Sequence, residues 1–329
     1  MKRRQFITLV GSAAAAWPLA ARSQEPDRTR RIGVLMGLTN DAEGQARIRA
    51  LLRGLQALGW AVGHNLRIEY RWAGGDADLM RAYAKELVAM TPDVILASGT
   101  PASTALNRET RGIPVVFVQV TDPVGSGLVE SFARPGGNMT GFTNYEDRTI
   151  SGKWLEILKE MEPTVVQVAV IFNPDMIPMA AYLPALKVAA RSAAVELFET
   201  PVRDSTEIER AIDAFAQKSN GGLIVLPDAS TASHRELIIA LAARHRLPAV
   251  YPNRFFAVDG GLISYGIENI DMYRQAAAYV DRILKGSKVA ELPVQAPTRY
   301  ELVINLRAAK ALGLEVPPTL LARADEVIE

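Results

Sequence analysis

The chain has 329 residues, 49% hydrophobic and 22% charged, with 24 Gly, 19 Pro and no Cys, a composition that excludes disorder, a coiled coil, a collagen-like chain and a disulfide-stapled scaffold. Without Cys, thiol catalysis and Cys-type zinc sites are excluded as well. The 37 Lys and Arg nearly balance 36 Asp and Glu, and beyond residue 23 the balance is 33 basic against 36 acidic, so the mature chain has no bulk attraction for nucleic acid or an anionic membrane.

Lys2-Arg3-Arg4 opens the chain with a twin-arginine pair, and an apolar run follows from Ile7 to Leu19, softened by Gly11, Ser12 and four alanines. The run falls short of the roughly twenty residues a membrane helix needs, and Ala21-Arg22-Ser23 offers small residues before Gln24. Residues 1–23 are therefore expected to be a signal peptide cleaved near Ser23/Gln24, leaving a periplasmic chain that is not embedded in the membrane. The twin-arginine and general export routes both remain open.

Strands and helices then alternate. Arg31–Gly37 is a buried-strand run, 43–58 repeats apolar residues at helical spacing, Leu66–Trp72 alternates like an outer strand and 76–90 is a second helix. Val94–Ala97 and Pro114–Val120 are short apolar strands on either side of a helix around 101–109. Residues 134–148 are rich in turn formers and read as a crossover. The pattern restarts with helices at 149–161, 178–195, 205–218 and 232–246 interleaved with strands at 166–172, 196–202, 223–226 and 249–251. A strand at 260–266, a helix at 270–285, an extended proline stretch at 292–297, a strand at 300–304 and a helix at 306–312 precede a polar end. Two β-α-β-α sets predict an α/β fold of two doubly wound parallel-sheet lobes, each sheet covered on both faces.

In such sheets ligands bind beyond the carboxyl ends of the strands. The residues found there include Thr39 after the first strand, Ser98, Gly99 and Thr100 after 94–97, Thr121 and Asp122 after 114–120, Asn173 and Asp175 after 166–172, and Asp228 and Ser230 after 223–226. Side-chain acceptors at several strand ends suit a cleft that holds an ammonium or another donor, while the hydroxyls and amides of the loop from Ser98 to Ser103 suit a carboxylate, with Ser98 and Thr100 holding that other polar end of the ligand. The same residue types also cap helices and close turns, and both roles stay open. Tyr145 and Tyr265 fall at crossovers, where they either flank an apolar ligand group or pack lobe on lobe.

Catalytic and metal signals are thin. His64, His234 and His245 match no metal spacing, and Gly125-Ser126-Gly127 lacks the strand–Ser–helix context of a nucleophile elbow. No catalytic residue, metal ligand or cofactor is assigned.

The ordered runs Gly99-Thr-Pro-Ala, Asp122-Pro-Val-Gly-Ser-Gly-Leu-Val129, Arg134-Pro-Gly-Gly-Asn-Met-Thr-Gly141, Ser264-Tyr-Gly and Ile304-Asn-Leu-Arg-Ala-Ala-Lys-Ala-Leu-Gly-Leu resemble the ABC-transporter substrate-binding proteins of the tryptophan/tyrosine type. The resemblance implies a type I periplasmic-binding fold, with lobes 24–143 plus 267–292 and 144–266 plus 293–329 joined by a hinge that closes on ligand. It implies a monomer that delivers a small solute, such as an amino acid or aromatic compound, to a permease and its ATPase subunits. Carried onto matching positions, the strand-end residues above line the cleft, with Tyr145 and Tyr265 at the hinge. An exported two-lobed enzyme and a ligand sensor are the alternatives for the same cleft.

Overall fold

The computed structural model describes residues 29–144, 150–176, 181–297 and 299–329. The expected signal peptide and the hinge candidate Tyr145 lie outside the described residues.

The first half builds β1 (Arg30–Met36), α1 (Ala42–Ala57), β2 (Leu66–Trp72), α2 (Ala77–Ala89), β3 (Val94–Ser98), α3 (Thr100–Glu109), β4 (Val115–Val120) and β5 (Met139–Thr143). Its sheet is parallel throughout, in the order β2-β1-β3-β4-β5. The order reverses at β1 and β3, so the crevice beyond their carboxyl ends is the ligand position of a doubly wound sheet. β1 and β3 are buried because helices cover both faces, which is why their sequences run apolar instead of alternating.

The second half builds α4 (Ile150–Met161), β6 (Gln167–Phe172), α5 (Leu183–Ser192), β7 (Glu196–Pro201), α6 (Ser205–Phe215), β8 (Gly221–Val225), α7 (Ala229–Ser233), α8 (Arg235–Arg244), β9 (Ala249–Tyr251), α9 (Arg254–Val258) and β10 (Ile263–Ile267). After α10 (Asn269–Leu284) come β11 (Tyr300–Asn305), α11 (Leu306–Leu312), α12 (Pro318–Leu321) and β12 (Glu326–Ile328). The second sheet has seven strands in the order β12-β11-β10-β9-β8-β6-β7, with β11 antiparallel to β10.

The chain passes between the two sheets three times: after β5, between β10 and α10, and between Gln295 and β11. On the second passage α10 leaves its sheet partner and lies on α1 over the first sheet, burying Tyr273, Ala276, Ala277 and Val280 with Leu51 and Leu55. Gly54 permits that approach, since a Cβ there would stand 2.6 Å from Ala277 Cβ and 3.0 Å from Arg274 O. On the third, the proline stretch is extended as expected and runs beside β5, where Gln295 N donates to Gly141 O at 2.8 Å and Gln295 O accepts from Thr143 N at 2.9 Å.

Four local expectations are corrected. The supposed turn-rich crossover at 134–148 contains β5, whose Gly141 lies so close to β4 that a Cβ would sit 1.9 Å from Phe117 O; the glycine serves close strand approach. The helix expected at 232–246 is two helices meeting at His234, because Asp228 caps a separate short turn ahead of it. The short helix α9 follows β9, where no element was foreseen. The polar end forms β12, whose Val303–Asn305 pairing extends the sheet by a strand too short to read from three residues.

Candidate functional site

A cavity of about 60 Å³ lies where the two lobes meet, several times the roughly 10–15 Å³ that one water requires. The first lobe contributes Ser98, Gly99, Thr100 and Pro101 from the β3–α3 turn, Gln119 and Thr121 from the end of β4, Arg47 from α1, Met80 from α2, and Asn144. The second contributes Met176, Asp228, Ala229, Asn253 and Phe255. Met80, Thr100, Pro101 and Met176 also border an outer groove of about 590 Å³.

The β3–α3 turn forms because Gly99 takes φ +92° and Pro101 occupies the first helical turn, where a missing N–H goes unneeded. Thr100 Oγ1 accepts from Thr121 N at 2.9 Å, tying this turn to the end of β4. Ser98 Oγ and Tyr273 Oη of α10 are 2.6 Å apart, while Thr121 Oγ1 reaches across the lobes to Tyr182 Oη at 3.1 Å and accepts from Asn144 Nδ2 at 3.3 Å.

Asp228 is 8% exposed. Its Oδ1 accepts from Thr231 N at 2.6 Å and its Oδ2 from Asn173 N at 2.9 Å, so it caps α7 and ties down the β6 loop at once. Burial pushes its pKa up to about 6, against the pull of those amide hydrogen bonds. On the opposite wall Arg47 is 2% exposed, with Nε donating to Glu43 Oε1 at 2.8 Å and Nη1 to Gln119 Oε1. Burial works against its charge, but Tyr273 and Glu43 outweigh burial and hold the guanidinium above its ordinary value. Gln119 takes φ +58°, interrupts the β4–β5 register, and joins Arg47 to Tyr273 (Oη to Oε1, 3.1 Å) and Asn269. Asn269 Nδ2 continues to Asn253 Oδ1 at 2.6 Å.

Of the residues predicted from sequence, Ser98, Gly99, Thr100, Thr121 and Asp228 come together in the cavity, and Asn173 abuts it through its amide to Asp228. The other described candidates do not line it. Asp122 folds back on its own turn, with Oδ1 accepting from Gly125 N at 2.9 Å, and Asp175 faces outward to Arg203 Nε at 3.2 Å. Thr39 supports Asp41, the cap of α1, and Ser230 is buried in α7 against Gly75. Tyr265 stacks on Tyr300 with ring centres 5.9 Å apart, which is packing within the second lobe. The chain's sequence also carried signals that went unread: Arg47 interrupts the apolar stripe of α1, Gln119 interrupts an apolar strand, and Asn253 stands just beyond β9 as the other candidates stand beyond their strands.

The lining combines hydroxyls, amides, one buried carboxylate and one buried guanidinium with an apolar wall of Leu38, Met80, Met176 and Phe255. That arrangement can grip a small amphipathic molecule. Arg47 and Asp228 do not pair with each other. Among the described residues no cluster of His, Asp and Glu could hold a metal ion, and no helix is long and apolar enough to cross a membrane.

The family profile for ABC transporter substrate binding protein matches residues 31–328. A curated relative, the tyrosine-binding protein of Clostridioides difficile (strain R20291), is 26% identical over 294 residues, covering 89% of this chain and 84% of that one. A Streptococcus pneumoniae ABC domain solved in complex with L-Trp is 25% identical and superposes with a TM-score of 0.83 over 91% of this chain and all of the other. The ligand-free, open structure of a Clostridium difficile substrate-binding protein with adhesive properties, also 25% identical, superposes at 0.64 over 91% and 99%. With its α/β architecture of two lobes, this chain belongs to the family of ABC transporter substrate-binding proteins.

Proposed function

We propose that this chain is the periplasmic receptor of an ABC importer, that it captures an amino acid with a large apolar side chain, and that it delivers this solute to a membrane permease without chemical turnover. The observation that carries the reading is the cavity where the lobes meet, with Asp228 on one wall and the hydroxyls of Ser98, Thr100 and Thr121 on the other. A donor on the solute meets Asp228, its second polar end meets the β3–α3 turn, and its apolar part runs along Met80, Pro101 and Met176 toward the outer groove. The names of the relatives, one tyrosine-binding and one solved with L-Trp, support this class of solute.

In this reading the lobes are 24–143 plus 267–292 and 144–266 plus 293–329, except that Asn144 and the stretch to Gln295 bond to β4 and β5 and so go with the first lobe; residues 1–23 are a cleaved signal, and the receptor works as a monomer that shuts on its solute. Two neighbours of equal identity support the motion: the L-Trp complex superposes at 0.83 and the open, ligand-free structure at 0.64, the pattern expected if the lobes here are drawn together. Contacts such as Thr121 to Tyr182 and Asn269 to Asn253 would then form on closing.

The test pairs a thermal-shift screen of amino acids, aromatic acids, purines and sugars with solution scattering. A solute that binds only the folded state raises the melting temperature, and the saturated protein should be more compact than the free one. An unchanged envelope at saturation, or recovery of an altered solute, would refute the reading.

A further inference from the structure

We infer that Arg47, which lines the cavity together with the β3–α3 turn, selects for an anionic group on the solute, so that the polar end meeting that turn is a carboxylate and not a hydroxyl or amide; the inference rests on the receptor reading above. α1 offers the stripe Gly44, Arg47, Ile48, Leu51 and Leu55 to the interior, and a guanidinium in an apolar stripe is costly unless it is held and used. It is held. Glu43 fixes Nε, Gln119 fixes Nη1, and the rings of Phe255 and Tyr273 lie 5.7 and 5.8 Å from the guanidinium carbon. Tyr273 adds a further side-chain hydrogen bond, so three partners stand against the five N–H groups that a guanidinium carries, and the group itself lines the cavity.

Two further observations point to selection. Gln119 adopts a left-handed backbone and disturbs the β4–β5 register, a conformation that persists where surroundings impose it and that clusters at ligand clamps. It places one side-chain amide against Arg47, Tyr273 and Asn269 together. Phe255 belongs to the other lobe, so the approach of the lobes covers the guanidinium and removes water from the place where it meets the solute. A charge-assisted fork in such a site discriminates strongly between a carboxylate and its neutral amide.

Calorimetry on the purified protein with L-tyrosine and L-tryptophan, each against its carboxamide, isolates that group because the ammonium and side chain are unchanged. The wild-type protein should prefer the acid by about tenfold to a hundredfold. Arg47→Gln should bring acid and amide to within about twofold of each other, and Arg47→Lys, which keeps the charge but loses the fork, should lower the ratio severalfold without abolishing it. If Arg47→Gln fails to fold, the Arg47→Lys ratio decides alone, and a ratio equal to the wild type overturns the inference. Equal loss of acid and amide in Arg47→Gln, the mark of a merely structural role, overturns it as well. If neither pair binds but a neutral sugar or purine compacts the protein, the inference and the amino-acid solute class fall while the closing-receptor reading stands; if no solute binds, all fall.

Discussion

Lowering the pH from about 7.5 to about 5 should stabilise the protein in its lobe-closed form, where Asp228 is buried, contrary to the usual behaviour of a carboxylate paired in the folded state. Desolvation raises this group from 3.8 to about 6 and the amides of Asn173 and Thr231 only partly offset it. The folded state therefore binds the proton more tightly than the unfolded chain. The ionised group weighs against folding above about pH 6 and is relieved as the pH falls toward 3.8. The full effect is about 3 kcal/mol, of which roughly half is recovered between about pH 7.5 and about pH 5. Asp228→Asn removes the charge but turns an N–H toward Asn173 N or Thr231 N, where each native oxygen accepts one amide. That mismatch costs about 1–3 kcal/mol, so the two proteins should be close in stability near neutral pH and diverge in favour of the wild type in acid. Urea midpoints across the range measure this, and subtracting the variant cancels the other carboxylates. A difference between the two proteins that does not change with pH, or that moves the other way, refutes the argument. With an ammonium solute the proton becomes a competitor, and affinity should fall about tenfold from about pH 7 to about pH 5.

Gly75 carries φ +82°, and a Cβ there would lie 2.7 Å from Ser230 Cα in the opposite lobe; Gly75→Ala should leave the solute-saturated protein less compact by scattering, and full compaction would count against this contact as a closing surface. Arg235 bridges Asp41 at 2.8 Å and Asp259 at 2.6 Å with its side chain 12% exposed. Arg235→Gln should speed solute release by about fivefold, the scale of a partly exposed ion pair, with an unchanged release rate in stopped flow as the contrary result. Protein recovered from the periplasm should begin at or near Gln24 by N-terminal sequencing, and replacing Arg3 and Arg4 by Lys should block export only if the twin-arginine route is used.

The parallel core was readable because strands buried on both faces, such as Val94–Ser98, leave continuous apolar runs between helical repeats. The strand-end rule reached Ser98, Thr100, Thr121 and Asp228 of the cavity lining because parallel strands all point their carboxyl ends at one crevice. It also picked Asp122 and Asp175, which lie outside the cavity lining, since position after a strand does not fix which way a turn then bends: Asp122 closes on Gly125, and Asp175 meets Arg203. Arg47 and Phe255 were hidden for another reason. Each sits on a helix, and what brings them together is the meeting of two lobes whose residues are some two hundred positions apart, which periodicity along one helix does not encode.

The seating of α10 on α1 has a consequence for the order in which this protein can be made. The face of α1 that carries Leu51, Leu55 and Gly54 is completed by Tyr273, Ala276 and Ala277, so the first lobe waits for a segment that emerges only after most of the second has been synthesised. Neither lobe is a contiguous stretch that folds and is then joined by its neighbour. Their sequence-distant pairing makes for slow folding and for intermediates with one apolar helix face uncovered. A fragment ending at residue 144 would expose that face permanently, and it should associate or bind a hydrophobic dye where the whole chain does not.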